Sequence, residues 1–249
     1  MLSRYAIFFV ALPLAVFSQT FTPLFNGTTL QGWHPIGFGV WTAENGEIVG
    51  RHPNASEGFG HLVTDSSYGD FIIRFQFRFV TGNSGFYFRI AEGGWAGVIG
   101  MQAEIDPGAG TTGGIYEVSA LTANDRQWVF YTTKSRDSAI YVAGAWNDMS
   151  IDARGGNILI TLNGHTMTNL VGDVLGRRTG KLALQIHGGL VGEMHFRNLA
   201  IAMIPTGIFF PGRNGKFINH THDGAYRNLL GVQVPHLSRK AQPVFLIRR

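Results

Sequence analysis

The sequence predicts an all-β sandwich of two packed sheets. Short segments alternate apolar and polar residues at every second position, as half-buried strands do. Thirty-four glycines and 12% aromatic residues suit frequent turns and packed sheet faces. No long segment keeps a helical period, and no internal repeat is present. At 249 residues the chain is long enough for one sizeable domain.

Taken in order, the first residues read as an export signal. Arg4 supplies a positive start, Tyr5 to Val16 an apolar stretch, and Ser18 a small residue before Gln19. The apolar run is short for a membrane span. The expectation is therefore a signal over residues 1–18 and a periplasmic or extracellular protein, with no integral span once the signal is removed. The chain contains no cysteine, which excludes disulfides, thiol catalysis and a lipid-modified cysteine after the signal.

Residues 21–33 mix turn formers with apolar anchors and read as an ordered entry to the domain. Asp70 to Phe79 is the clearest strand: Phe71, Ile73, Phe75, Phe77 and Phe79 share one face, and Arg74, Gln76 and Arg78 the other. Burying five such groups at about 1.5–3 kcal/mol each makes this a core strand. Thr81 to Gly85 turns the chain into Phe86 to Ile90, where Phe86, Phe88 and Ile90 oppose Gly85, Tyr87 and Arg89. Further strands are predicted at 127–131, 146–154, 157–162, 181–186 and 194–203. Asn163-Gly164 is a hairpin signal, because both residues accept a positive φ. Residues 205–249 read as an extension of low regularity after a domain spanning 19–204.

Charge is unevenly placed. The chain has a net charge of +4, but seven Lys and Arg against one acid follow Ile204. The body carries a slight negative balance, which argues against a nucleic-acid partner.

The segment Gly100 to Asp106 concentrates chemistry. Gln102, Glu104 and Asp106 take alternate positions against Met101, Ala103 and Ile105, so one face holds an amide and two carboxylates. A solvated strand face and a carbohydrate-binding or catalytic face both fit this pattern. Gln185 and His187 repeat the device on a second strand, opposite Leu184 and Ile186. Arg89 shares the predicted face of Gly85 and Tyr87, where it would offset the carboxylate repulsion. Tyr116 follows the flexible Thr111 to Ile115, and Trp95 in the glycine-rich Ala91–Gly100 stretch is placed to stack on a sugar or pin its loop. There is no phosphate-cradling loop, HExxH, GxSxG or dinucleotide fingerprint. The scattered histidines, His220 and His222 included, lack zinc-like spacing.

The order of several short motifs resembles the 3-keto-disaccharide hydrolase domain family. Leu24-Phe-Asn-Gly27 with Leu30-Gln-Gly-Trp33 is similar to the family's opening phrase, and Trp41 with Glu47-Ile-Val-Gly50 to its next strand pair. Tyr68-Gly-Asp-Phe71 and Gly82-Asn-Ser-Gly-Phe-Tyr-Phe-Arg89 follow, then Gln102-Ala-Glu-Ile-Asp106. Gly114-Ile-Tyr-Glu117, Trp146-Asn147, Leu162-Asn-Gly164, Leu184-Gln-Ile-His187 and Phe196-Arg-Asn198 complete the series. Met101 and Glu104 depart from the Tyr-Gln-Ala-Asp of one subgroup, and other members exchange the Glu and Gln. The resemblance covers about residues 21–204.

It implies a concanavalin-like jelly roll of two antiparallel sheets and a hydrolase acting on 3-keto-disaccharides or 3-keto-glucosides. A C3 carbonyl acidifies the C2 hydrogen, so a base can remove it and the C1 substituent leaves; water then adds. The residue set this implies is Glu104 or Asp106 as base, Arg89 as oxyanion partner and His187 as acid. Asn83, Gln102, Tyr116 and Gln185 would bind the sugar. No cofactor is required; a divalent cation on the same oxygens and imidazole is the weaker alternative. Two other functions share the fold: a non-catalytic sugar-binding module, and an endo-glucanase with a Glu-x-Asp-x-x-Glu strand. Gly108 and Ala109 stand where the second glucanase Glu would fall.

Overall fold

The computed structural model describes residues 19–119 and 126–205, and the backbone of four short strands beyond them. The signal expected at residues 1–18 lies outside the described residues. The body is built from fifteen strands in chain order. The first five are β1 (Thr22–Pro23), β2 (Trp33–Gly37), β3 (Val40–Glu44), β4 (Glu47–His52) and β5 (Gly60–Thr64). The next five are β6 (Phe71–Thr81), β7 (Ser84–Glu92), β8 (Val98–Ile105), β9 (Ile115–Val118) and β10 (Gln127–Phe130). The last are β11 (Asn147–Arg154), β12 (Asn157–Leu162), β13 (His165–Leu170), β14 (Lys181–Ile186) and β15 (Gly192–Met203).

These strands form two antiparallel sheets. One runs β13-β12-β11-β6-β15-β4-β3, with β1 added against β15; the other runs β10-β9-β8-β7-β14-β5-β2. The only helical element among the described residues is a single 3₁₀ turn, Lys134–Arg136. The alternation in β6 sends Phe71, Ile73, Phe75 and Phe77 into the shared core, while Phe79 packs half-buried at its margin. Phe86 and Phe88 answer them from the other sheet: Phe75 stacks on Phe86 at 4.6 Å between centroids, and Phe71 meets Phe88 edge-on at 6.4 Å. These aromatic contacts fasten one sheet to the other.

The Asn163-Gly164 turn adopts φ of 48° and 81° and joins β12 to β13 as expected. Beyond the body, β16 (Phe210–Pro211), β17 (Phe217–His220), β18 (Tyr226–Asn228) and β19 (Gln233–Val234) pair into a small antiparallel ladder. That pairing is more regular than the composition of the extension predicts. Short extended runs between glycine-containing stretches are enough to pair locally.

Candidate functional site

The outer face of the seven-stranded sheet carries the site, and strand register lays it out. Met101, Ala103 and Ile105 of β8 enter the core, which turns Gln102 and Glu104 outward. Glu104 pairs opposite Gly85 of β7, Gly85 opposite Gln185 of β14, and Gln185 opposite His61 of β5. The adjacent row runs Tyr116, Gln102, Tyr87, Ala183 and Val63. Gly85 is what lets the rows mesh: a Cβ there would stand 2.1 Å from Gln102 Nε2, so only glycine lets that amide lie across the strand.

Asn83, Gln102, Glu104, Asp106, Tyr116, Gln185 and His187 all line one cleft of about 260 Å³. Seven of the eight residues expected from sequence therefore converge. Tyr87 adds to the floor, while Phe59, Trp95 and Trp128 give the cleft apolar walls.

Hydrogen bonds tie the polar floor together. Asn83 Nδ2 donates to Asp106 Oδ2 at 2.9 Å and to Glu104 Oε1 at 3.3 Å, bridging the two carboxyl groups. The Ala109 N–H donates to Asp106 Oδ1 at 2.9 Å. Gln102 Nε2 has two protons but three acceptors in reach: Gln185 Oε1 at 3.2 Å, and Glu104 Oε2 and the Ser84 carbonyl at 3.3 Å. Gln185 Nε2 donates in turn to the Tyr87 hydroxyl at 3.3 Å.

Glu104 is 7% exposed. Burial, with the charge of Asp106 adding to it, pushes its carboxyl up to about 8. Near neutral pH it therefore carries a proton. His187 follows the end of β14, its ring edge-on to Phe59 at 4.7 Å. Its Nδ1 lies 2.5 Å from the Gly188 carbonyl, which only accepts. The proton thus sits on Nδ1, and in the neutral ring Nε2 keeps its lone pair for the cleft.

Arg89 does not join the site. The ladder between β7 and β8 slips between Phe88 and Ala91, inserting an extra residue, and Arg89 takes a left-handed φ of 54°. The bulge reverses the alternation. Ile90 falls in the apolar cluster of the outer face, and Arg89 turns away from the cleft to the opposite sheet. There it is 1% exposed and donates to Asp70 Oδ1 at 2.8 Å and to the carbonyls of Gly155, Ala153 and Gly69 at 2.6, 3.1 and 3.3 Å. Its place is a clamp between sheets, and the expectation that it serves the cleft as oxyanion partner is corrected.

Sequence reasoning also missed residues that reach the cleft. Tyr87 shares the predicted face of Gly85 but is not among the expected site residues, although it lines the cleft. Phe59 comes from a segment with no strand signal, and Trp128 from the strand predicted at 127–131, where nothing in the sequence marked it for the cleft. Among the described residues, no three His, Asp or Glu side chains are grouped so as to hold a metal ion. No helix among them is long and apolar enough to cross a membrane.

A family model described as a 3-keto-alpha-glucoside-1,2-lyase-like domain matches residues 20–202. No curated protein matches the chain. Among solved structures, a candidate glycosyl hydrolase from Parabacteroides distasonis is similar at 21% identity and a TM-score of 0.53, covering 74% of this chain and 94% of that one. A carbohydrate-binding module, CBM66 from Bacillus subtilis, is similar at 16% identity and 0.52, covering 71% and 97%. The Bacillus licheniformis beta-glucanase is similar at 11% identity and 0.52, covering 76% and 100%. At these identities the likeness is one of fold: a jelly-roll sandwich shared by enzymes and binding modules.

Proposed function

This chain belongs to the 3-keto-alpha-glucoside-1,2-lyase-like domain family, and from that premise we propose that it cleaves glycosides whose sugar carries a ketone at C3. The observation that carries the reading is the pair Glu104 and Asp106, bridged by Asn83 on the cleft floor, with Glu104 held protonated. A protonated carboxyl and an imidazole lining one cleft supply the acid and the base an elimination needs.

In the proposed reaction His187 Nε2 removes the C2 hydrogen. The electron pair moves toward the C3 carbonyl, and the Gln185 amide, with one proton on the Tyr87 hydroxyl, turns its other N–H to the oxyanion in place of Arg89. Glu104 gives its proton to the glycosidic oxygen as the C1–O bond breaks, leaving a C1=C2 bond conjugated to the ketone. Water then adds, its hydroxyl to C1 and a proton to C2. His187 and Glu104 exchange the roles expected from sequence, because the orientation of the ring and the burial of the carboxyl favour it. Burial, with Asp106 adding to it, keeps Glu104 protonated, and Asp106, Asn83 and Tyr116 hold sugar hydroxyls. The same reading has the protein exported, on the strength of Arg4, the apolar Tyr5–Val16 run and Ser18.

The test compares 3-keto-trehalose and 3-keto-glucosides with their unoxidised parents, in deuterated water. Expected is cleavage of the oxidised sugars alone, with one solvent deuterium at C2 of the product. Glu104→Gln and His187→Ala should each lower kcat about 10²–10⁴-fold. Cleavage without label at C2 would remove the elimination. Binding of sugar with no cleavage would make the chain a binding module.

A further inference from the structure

The polar row that starts at Glu104 continues past the open cleft. Its next polar member after Gln185 is His61, fully buried, with neither ring nitrogen hydrogen-bonded. Buried polar side chains are nearly always paired, so two orphaned nitrogens on a ligand-facing sheet need a partner. His61 lies opposite Gln185, and its ring meets Tyr87 edge-on at 5.4 Å. Both neighbours line the cleft; His61 does not.

What covers it is the loop between β7 and β8. A Cβ on Gly97 would stand 3.7 Å from His61 Nδ1. Gly93, Gly94 and Gly97 have φ of 128°, 74° and 84°. The backbone bonds Gly93 N–H to Gly97 O and Gly97 N–H to Gly94 O stay inside the loop. Trp95 at its tip is 46% exposed and touches Phe59 edge-on at 5.6 Å. Ala96, 3% exposed, seats the loop on the outer-face apolar cluster, and the two internal bonds keep the loop's shape when it lifts as a unit.

We propose that the loop between β7 and β8 is a movable cover over a second subsite, where His61 binds the hydroxyl-bearing ring of the leaving group. The inference rests on the reading that a glycoside occupies the cleft with its reacting sugar over Glu104 and Gln185. Glu104 and His61 are three strand spacings apart, about 14 Å, which accommodates two linked rings. Burial, with His187 nearby, holds the His61 imidazole down to about 3. The ring is neutral, with one nitrogen donating and the other accepting, as a sugar hydroxyl requires.

The test uses 3-keto-trehalose, whose leaving group is a sugar, and methyl 3-keto-glucoside, whose leaving group is methanol. His61→Phe keeps a ring and removes both nitrogens. It should lower kcat/KM for the disaccharide at least ten-fold more than for the methyl glycoside. Equal losses on both substrates, or none, overturn the subsite. The unmodified protein gives an independent measurement: trehalose should change hydrogen–deuterium exchange in residues 92–98, and methyl glucoside should not. Identical exchange with both sugars overturns the cover. If the unmodified protein cleaves neither oxidised substrate, the proposed activity falls and the exchange result alone decides the subsite.

Discussion

At the scale of one residue, Glu104 links function to stability. A carboxyl at about 8 in the folded protein titrates near 4.3 in the unfolded chain. Between those values the folded state keeps a proton that the unfolded state has released. Stability from this group therefore falls as pH rises from about 4.5 to 8, then levels off, by an amount on the order of a few kcal/mol. Glu104→Gln removes the titration while keeping the shape. Melting curves should show the wild type losing stability over that range and the variant nearly flat, with the variant more stable at pH 8. Activity should move with the same proton: kcat of the wild type should decline above about pH 8, as the carboxyl loses the proton it donates in the proposed reaction. A wild-type melting temperature that rises from pH 5 to 8 would remove the buried-acid account.

At the scale of an element, β7 serves two masters because one residue interrupts it. Before the bulge, Gly85 and Tyr87 serve the cleft; after it, Ile90 joins an apolar cluster and Arg89 reaches the opposite sheet. Arg89→Ala would strand Asp70 and three carbonyls, so a loss of roughly 3–5 kcal/mol is expected, with Arg89→Met recovering part through packing. In urea titrations the midpoint should drop, while the kcat of the molecules that stay folded is retained. A normal midpoint with a hundred-fold lower kcat would return Arg89 to the chemistry. The bulge also explains what the sequence concealed. Period two assigns faces correctly along β6, β8 and β14, where the ladder around each site residue is regular. It fails at Arg89 because a left-handed residue resets the count, and nothing in Phe86-Tyr-Phe-Arg-Ile90 announces one. β13 was missed for a different reason: His165-Thr-Met-Thr-Asn-Leu170 has too few apolar residues to show alternation, although its hairpin turn was legible.

At the scale of the whole molecule, the sandwich, its long core strand and most of the cleft were legible, because register carries parity across strands. The walls from Phe59 and Trp128, and the covered His61, depend on tertiary proximity that no local pattern encodes. Among the described residues, the core clusters close on themselves within residues 24–201, while seven of the twenty Lys and Arg follow Ile204. A protein of residues 19–205 should therefore melt within about 2 °C of one extending to residue 249 and lose retention on a cation exchanger. A drop of ten degrees would mean that the extension supports the sandwich. The row through Glu104, Gly85, Gln185 and His61 has a larger consequence. Its alignment is stored in main-chain pairing, not in the side chains that use it. Each position is an address on a fixed grid, and a substitution at Glu104, Gln185 or His61 rewrites one address while Gly85 stays glycine to let Gln102 cross. Such a sheet can exchange a proton donor for a mere binding group, or lengthen the ligand it accepts, one position at a time. Heredity on this fold is thus cheap in chemistry and strict in register: a one-residue slip in β14 would move Gln185 into the core and take its whole row out of use.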